Sequence, residues 1–289
     1  MIYRYRPTPL HAARATVGLA WCAALMLAIL LAANPATLVL GGLTGLLAAQ
    51  LAGIGRPVLR AALFMLPWAI AFALINGIVA RQGLTVVVRL GDLGPFGQGD
   101  VTLEALIYGL LFGLRLVALV IPSALFALAV DPDQLLRVAG RFSLRSALGA
   151  TMATRLVPTL AADAKRLDEA RRLRPVAPRG GRVAVLRAVT AGALDRALDV
   201  AATLELRGFS SETAVRRAGD HRPWSRQDWA FAASAVAIVA VTVTTRVVDA
   251  APFSAYPQIT GSLAAGLVPG LALMVAALLP FLARRGVSR

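Results

Sequence analysis

Two short stretches of this chain place an arginine beside a leucine at a point where a helix must stop: Leu173-Arg174-Pro175 and Leu206-Arg207-Gly208, 33 residues apart. A guanidinium is permanently charged and planar, and it can hold a carboxylate with two parallel N–H bonds. A directional ionic contact is therefore the chemistry these positions offer. A cation at a helix C-terminus also complements the negative end of the helix dipole, worth about 0.3–1 kcal/mol. The duplication argues for more than that. Each arginine tips an amphipathic helix that has no core of its own, and such a helix is suited to a groove on a partner.

Other chemistry is thin. Cys22 is the single cysteine, and His11 and His221 are the only histidines, so neither a disulfide framework nor a metal site is expected. The single lysine, Lys165, stands in no G-x-x-x-x-G-K-[ST] loop, so ATP hydrolysis is not expected of this chain and it reads as a non-catalytic protein. Two competing classes are an autonomous secondary carrier and an integral membrane enzyme such as a lipid-head-group transferase. The carrier would need carboxylates deep in the apolar runs, whereas Glu104 and Asp249 lie at their ends. The enzyme would need clustered acids or histidines, whereas Asp163, Asp168 and Asp199 share their helices with many arginines in no ligand pattern. Arg115 lies inside an apolar run, which makes it a functional candidate as well as a candidate for internal pairing. Asn76 is expected to hydrogen-bond across helices, and the spacings Gly41/Gly45, Gly109/Gly113 and Gly266/Gly270 permit close helix contact.

The elements that must carry these residues follow from hydropathy. Of 289 residues 58% are hydrophobic and 16% charged, with a formal net charge of +15. That excludes disorder and an ordinary soluble domain, which averages about 45–50% apolar and roughly 25% charged. A bilayer needs about 17–25 apolar residues per helical crossing. Six stretches qualify: Ala15–Ala33, Ala36–Ala52, Ala61–Ala80, Ala105–Val130, Trp229–Thr245 and Ile259–Ala283. The first is too long for a signal-peptide core and lacks a small-residue cleavage pattern, so it is read as a retained span. The arginines then orient the chain. With the N-terminus inside, the short cytoplasmic segments hold 8 cations against 3 outside, so both termini are predicted cytoplasmic. Basicity of this kind is a topology signal and calls for no nucleic acid.

The expected organisation is membrane helices over 1–130, a cytoplasmic region over 131–228 and further membrane helices over 229–289. The middle region holds 18 of the 30 cations and 11 of the 15 acids. Ser146–Ala162 is apolar but carries Arg155 at its centre, which costs about 2.5–3.5 kcal/mol on insertion. It is expected to pack on protein at the membrane face instead of crossing. Leu148, Met152, Leu156, Leu160, Ala164 and Leu167 share one helix face; Leu194, Leu198, Ala201 and Leu204 share a face of a second helix. Pro175 stops the first helix, and Gly208 suits the left-handed position just past the second.

With these residues placed, the chain resembles the T component of energy-coupling factor transporters, the EcfT/CbiQ family, over nearly its whole length. Asp131-Pro132-Asp133-Gln134-Leu135-Leu136 is similar to that family's entry into its cytoplasmic helices, and Arg155-Leu156-Val157-Pro158 to its Arg-x-x-Pro element. Glu169-Ala170-Arg171-Arg172-Leu173-Arg174-Pro175 resembles the signature Glu-Ala-Gln-x-Ala-Arg-Gly, and Glu205-Leu206-Arg207-Gly208-Phe209 resembles Glu-Ala-Arg-Gly-Phe. Leucine replaces both signature alanines, and Pro175 stands where the first signature has glycine. The resemblance implies an all-α polytopic protein of the cell membrane, with long coupling helices between spans 4 and 5. It implies two ATP-binding-cassette subunits as partners, their grooves receiving the helices, and a small membrane S component that binds a vitamin or transition-metal ion. ATP would be held by those partners, and this chain would carry no cofactor. The implied coupling residues are Arg174, Arg207, Leu173, Leu206, Gly208, Glu169 and Ala170, with Arg155, Pro158 and Arg115 as further candidates.

Overall fold

A computed structural model describes residues 6–79, 85–92, 98–139, 144–173, 181–206, 223–255 and 258–282. Helices dominate: α1 Pro9–Ala12, α2 Ala15–Leu31, α3 Pro35–Leu51, α4 Gly55–Val79, α5 Leu103–Ala129, α6 Pro132–Ala139, α7 Leu144–Arg172, α8 Gly181–Leu206, α9 Arg226–Val247 and α10 Leu267–Leu282. Two small antiparallel hairpins accompany them, β1 Val86–Asp92 with β2 Gln98–Thr102, and β3 Phe253–Ser254 with β4 Thr260–Gly261. Six apolar helices occupy the six predicted stretches. Four are long enough to cross a membrane outright: α4, α5, α9, and α10 with the 3-10 turn Ala264–Gly266 that leads into it. The other two, α2 and α3, have 17 residues each and so rise about 26 Å, near the lower limit for a span. The protein is an all-α, multi-pass membrane protein.

The last span differs from expectation. Ile259–Leu263 is apolar enough to read as helix, yet Thr260 and Gly261 pair with Ser254 and Phe253, and Gly261 adopts φ +100°. An α-helix cannot contain that backbone, so helix begins only after it.

The chain forms two compact units, Met1–Pro132 with Pro223–Arg289, and Asp133–Arg222. The first is organised around Trp21 on α2, which is fully buried. Its ring meets Phe231 of α9 and Phe281 of α10 edge-on at 5.6 and 5.8 Å. Its indole N–H donates to Ser234 Oγ at 3.0 Å, and that hydroxyl donates to the Ala276 carbonyl at 2.6 Å. One tryptophan therefore fastens three spans by packing and a two-bond relay, and it is a core residue instead of an interfacial anchor. Trp229 is exposed and tilted against Trp224 at 4.8 Å, as an aromatic at a membrane edge should be.

Helix α4 lies along α5 at very close range. A Cβ on Gly109 would meet Ala73 Cα at 2.8 Å, and one on Gly113 would meet the Ala69 carbonyl oxygen at 2.6 Å, so only glycine fits. Asn76 bonds the Phe72 carbonyl of its own helix at 3.2 Å, in place of the expected bond across helices. The close approach explains it, because the Asn76 Cβ already abuts Gly109 and the amide has its acceptor one turn back.

Candidate functional site

The arginine-tipped helices are α7 and α8, which pack against each other in the second unit. On α7 the row Met152, Leu156, Leu160, Asp163, Ala164, Asp168 and Arg171 is half-buried. Leu167 completes the row at 38% exposure. This is the face that periodicity predicted, within the residues described. The 29-residue helix runs unbroken through Ser146–Ala162 and carries Pro158 internally. Arg155, Val157 and Pro158 are exposed, and Thr159 Oγ1 donates to the Arg155 carbonyl at 3.1 Å.

Helix α8 departs from the expected pattern. Its half-buried row is Val185, Val189, Ala193, Arg196, Val200 and Leu204, and of the predicted face only Leu204 belongs to it. Leu194 and Leu198 lie outside, 64% and 63% exposed, together with Val183 and Leu186. The helix is apolar on two sides, so one stripe settles on α7 and the other is left uncovered. Arg196 crosses between the helices, donating to Asp163 at 3.1 Å, and it fixes which stripe turns inward.

At the far end of α7 the charges sort themselves by spacing. Asp168 accepts from Arg172 at 2.8 Å and lies 3.7 Å from Arg171, while Lys165 reaches Glu169 at 3.9 Å. These are i,i+3 and i,i+4 contacts, each worth about 0.2–0.5 kcal/mol on an exposed helix. Asp168, Arg171, Arg172 and Val185 of α8 border a cavity of about 340 Å³. Glu169 and Ala170 are exposed, and Leu173 and Leu206 project furthest, at 86% and 88%. Arg174, Arg207 and Gly208 lie outside the described residues, immediately beyond those two leucines.

Arg115 belongs to the first unit and is not part of this pair of helices. Its Nη2 donates to the Ala32 carbonyl at 2.6 Å, at the C-terminal cap of α2. Sequence reasoning missed a second arginine. Arg14, just before α2, lies 3.5 Å from the fully buried carboxylate of Asp228, which also accepts from the Arg14 backbone N–H at 2.7 Å. Asp228 completes a capping box with Ser225 at the start of α9, and the Arg14 guanidinium stands 5.6 Å over the Trp224 ring. The signal was present as Ser225-x-x-Asp228 ahead of an apolar run. The buried partner was not, because Arg14 and Asp228 are 214 residues apart. Nearby, His11 is buried with its Nδ1 2.7 Å from Thr8 Oγ1. Burial, with the Arg6 charge as the second cause, holds its pKa below the ordinary histidine value, against a smaller opposing effect of the Leu128 backbone. Among the described residues no three His, Cys, Asp or Glu side chains gather as a metal site would need.

The CbiQ family model, described as a cobalt transport protein, matches residues 7–216 of this chain. No curated protein matches it. The protein therefore belongs to the CbiQ family of transport proteins and is a membrane component of a transport system.

Proposed function

We propose that the protein is the transmembrane coupling subunit, the T component, of an energy-coupling factor transporter. In this reading two ABC-type ATPase subunits bind ATP and receive α7 and α8. A small membrane S component binds the cargo, a cobalt or other transition-metal ion or a vitamin. The observation that carries the reading is the uncovered end of each helix. Leu173 and Leu206 are almost fully exposed, each directly before a signature arginine, and α8 presents a second apolar stripe through Val183, Leu186, Leu194 and Leu198. Apolar side chains exposed on a charged unit are suited to a protein groove.

The mechanism follows from what these parts can do. Arg174 and Arg207 each seat in a partner groove by charge-assisted hydrogen bonds, while the adjoining leucine fills an apolar pocket beside it. A desolvated arginine contact is directional, so rotation of a groove carries the helix end with it. Closure of the ATPase pair then displaces the ends of α7 and α8, and this motion is delivered to the S component. The arginine distribution supports inward-facing termini, and in this reading both helices then lie on the cytoplasmic side of the cell membrane, where ATP is available. This chain performs no covalent step.

The test is the double variant Arg174→Glu, Arg207→Glu in the assembled transporter. Co-purification of the ATPase subunits and uptake of the cargo should both be lost. Wild-type assembly and uptake in that variant would sink the coupling role.

A further inference from the structure

We propose that Arg115 and the cavity it borders bind the phosphate of an anionic phospholipid, at the end of the first unit where α2 terminates. The cavity measures about 160 Å³ and is lined by Ala33, Tyr108, Leu111, Phe112, Arg115 and the Phe253–Ala255 segment. Arg115 stands in the interior of α5, where a guanidinium is retained only against a penalty. The Ala32 carbonyl takes one of its N–H groups at 2.6 Å. Its Nε is buried without a hydrogen-bond partner among the described residues. Among the described residues no carboxylate lines the cavity, and Tyr108 and, to a smaller extent, Arg246 lie within electrostatic range of the guanidinium. Two acids of this unit have other surroundings. Glu104 accepts from the Thr85 backbone and hydroxyl, and Asp249 lies with Arg246 along the neighbouring pocket between α2 and α9.

The balance of charge decides the ligand class. A cap on α2 needs one N–H group and a point charge, which a lysine supplies. A planar guanidinium with donors to spare in a low-dielectric lining calls for an oxyanion, and phosphate is the oxyanion a bilayer provides. Tyr108, 44% exposed, puts a phenol at the rim, the place an aromatic belt residue takes at head-group level. Leu111, Phe112 and Phe253 supply the apolar wall along which an acyl chain would run.

Full-length protein is reconstituted in phosphatidylcholine nanodiscs with and without phosphatidylglycerol, and retained lipid is counted by native mass spectrometry. Thermal midpoints are read in parallel. Phosphatidylglycerol should be retained by wild type and raise its midpoint. Arg115→Gln should lower retention about tenfold, the ratio expected for loss of one charge-assisted contact. Because Arg115→Gln also removes the α2 cap, Ser254→Asp provides a second variant. It leaves the Arg115–Ala32 bond in place, sets a carboxylate in the cavity and should expel the lipid equally. Undiminished phosphatidylglycerol in Ser254→Asp overturns the proposal. So does equal stabilisation by inorganic phosphate in phosphatidylcholine alone, which would assign the site to a free anion.

Discussion

The two units of this protein solve opposite problems. The membrane unit buries Trp21, Phe231, Leu125 and Ile238 completely, and it gives several of its buried polar groups named partners, as Asp228 has in Arg14 and Asn34 in Ser262. The Asp133–Arg222 unit holds no fully buried apolar side chain among its described residues. It offers instead half-buried rows on α7 and α8 and large leucines in the open. A region with few buried contacts opens at low free energy, and elements that must move or dock are drawn from that end of the range. The contrast teaches that one unit carries its stability in a closed interior, while the described part of the other leaves much of its apolar surface open.

The largest effect should therefore fall in the membrane unit. Trp21→Ala removes an edge-on aromatic pair, a second such pair and the donor to Ser234. A loss of about 3–5 kcal/mol is expected, read as a collapse of the thermal midpoint in mild detergent. Next comes Asp228→Ala, which strips the α9 cap and leaves Arg14 without its buried partner. About 3 kcal/mol is expected for breaking such a pair. If the variant melts like wild type, the buried ion pair contributes nothing and the contrast weakens. Gly113→Val should cost about 1–3 kcal/mol by overpacking α4 against α5, since its side chain would meet the Ala69 carbonyl. By contrast Leu194→Ser with Leu198→Ser on α8 should move the midpoint by no more than about 0.5 kcal/mol, because both side chains are already exposed. The same pair should weaken ATPase co-purification. A midpoint loss comparable to Trp21→Ala would show that the stripe is part of a core.

What could be read beforehand divides along the same line. The spans were legible because a bilayer demands uninterrupted apolar length, and hydropathy reports length directly. Their edges were less legible. Gly261 ends an apolar run by backbone conformation, and the β1–β2 hairpin lies between two spans, where hydropathy registers only a polar interruption although Val86-Val87-Val88 is a β-branched signal. Between α7 and α8, periodicity identified the inward face of α7 correctly. It failed on α8, where two apolar stripes compete and the Arg196–Asp163 bond, 33 residues apart, chooses between them. Leu173 and Leu206 stood out as matching helix ends and again by resemblance, but their exposure belongs to the fold alone. The Arg14–Asp228 pair was invisible because neither residue is unusual in its own neighbourhood.

The smallest expected effect sharpens the comparison by pH. His11 is buried beside Thr8, and burial together with Arg6 lowers its folded pKa. As pH falls, the unfolded chain takes up the proton first, near the ordinary histidine pKa of about 6.5, while the folded chain resists until a lower pH. The stability contributed by neutral His11 is therefore complete above about 6.5 and is lost as pH drops through the lowered folded value. Moving from about pH 7.5 to about pH 5.5 should lower the thermal midpoint of the wild type. His11→Asn keeps a polar partner for Thr8 without the titration and should flatten that slope. An identical slope in both proteins would place the acid sensitivity elsewhere. If instead the slope vanishes while Leu194→Ser with Leu198→Ser leaves it untouched, the acid response belongs to the membrane unit, the one that has an interior from which a proton can be excluded.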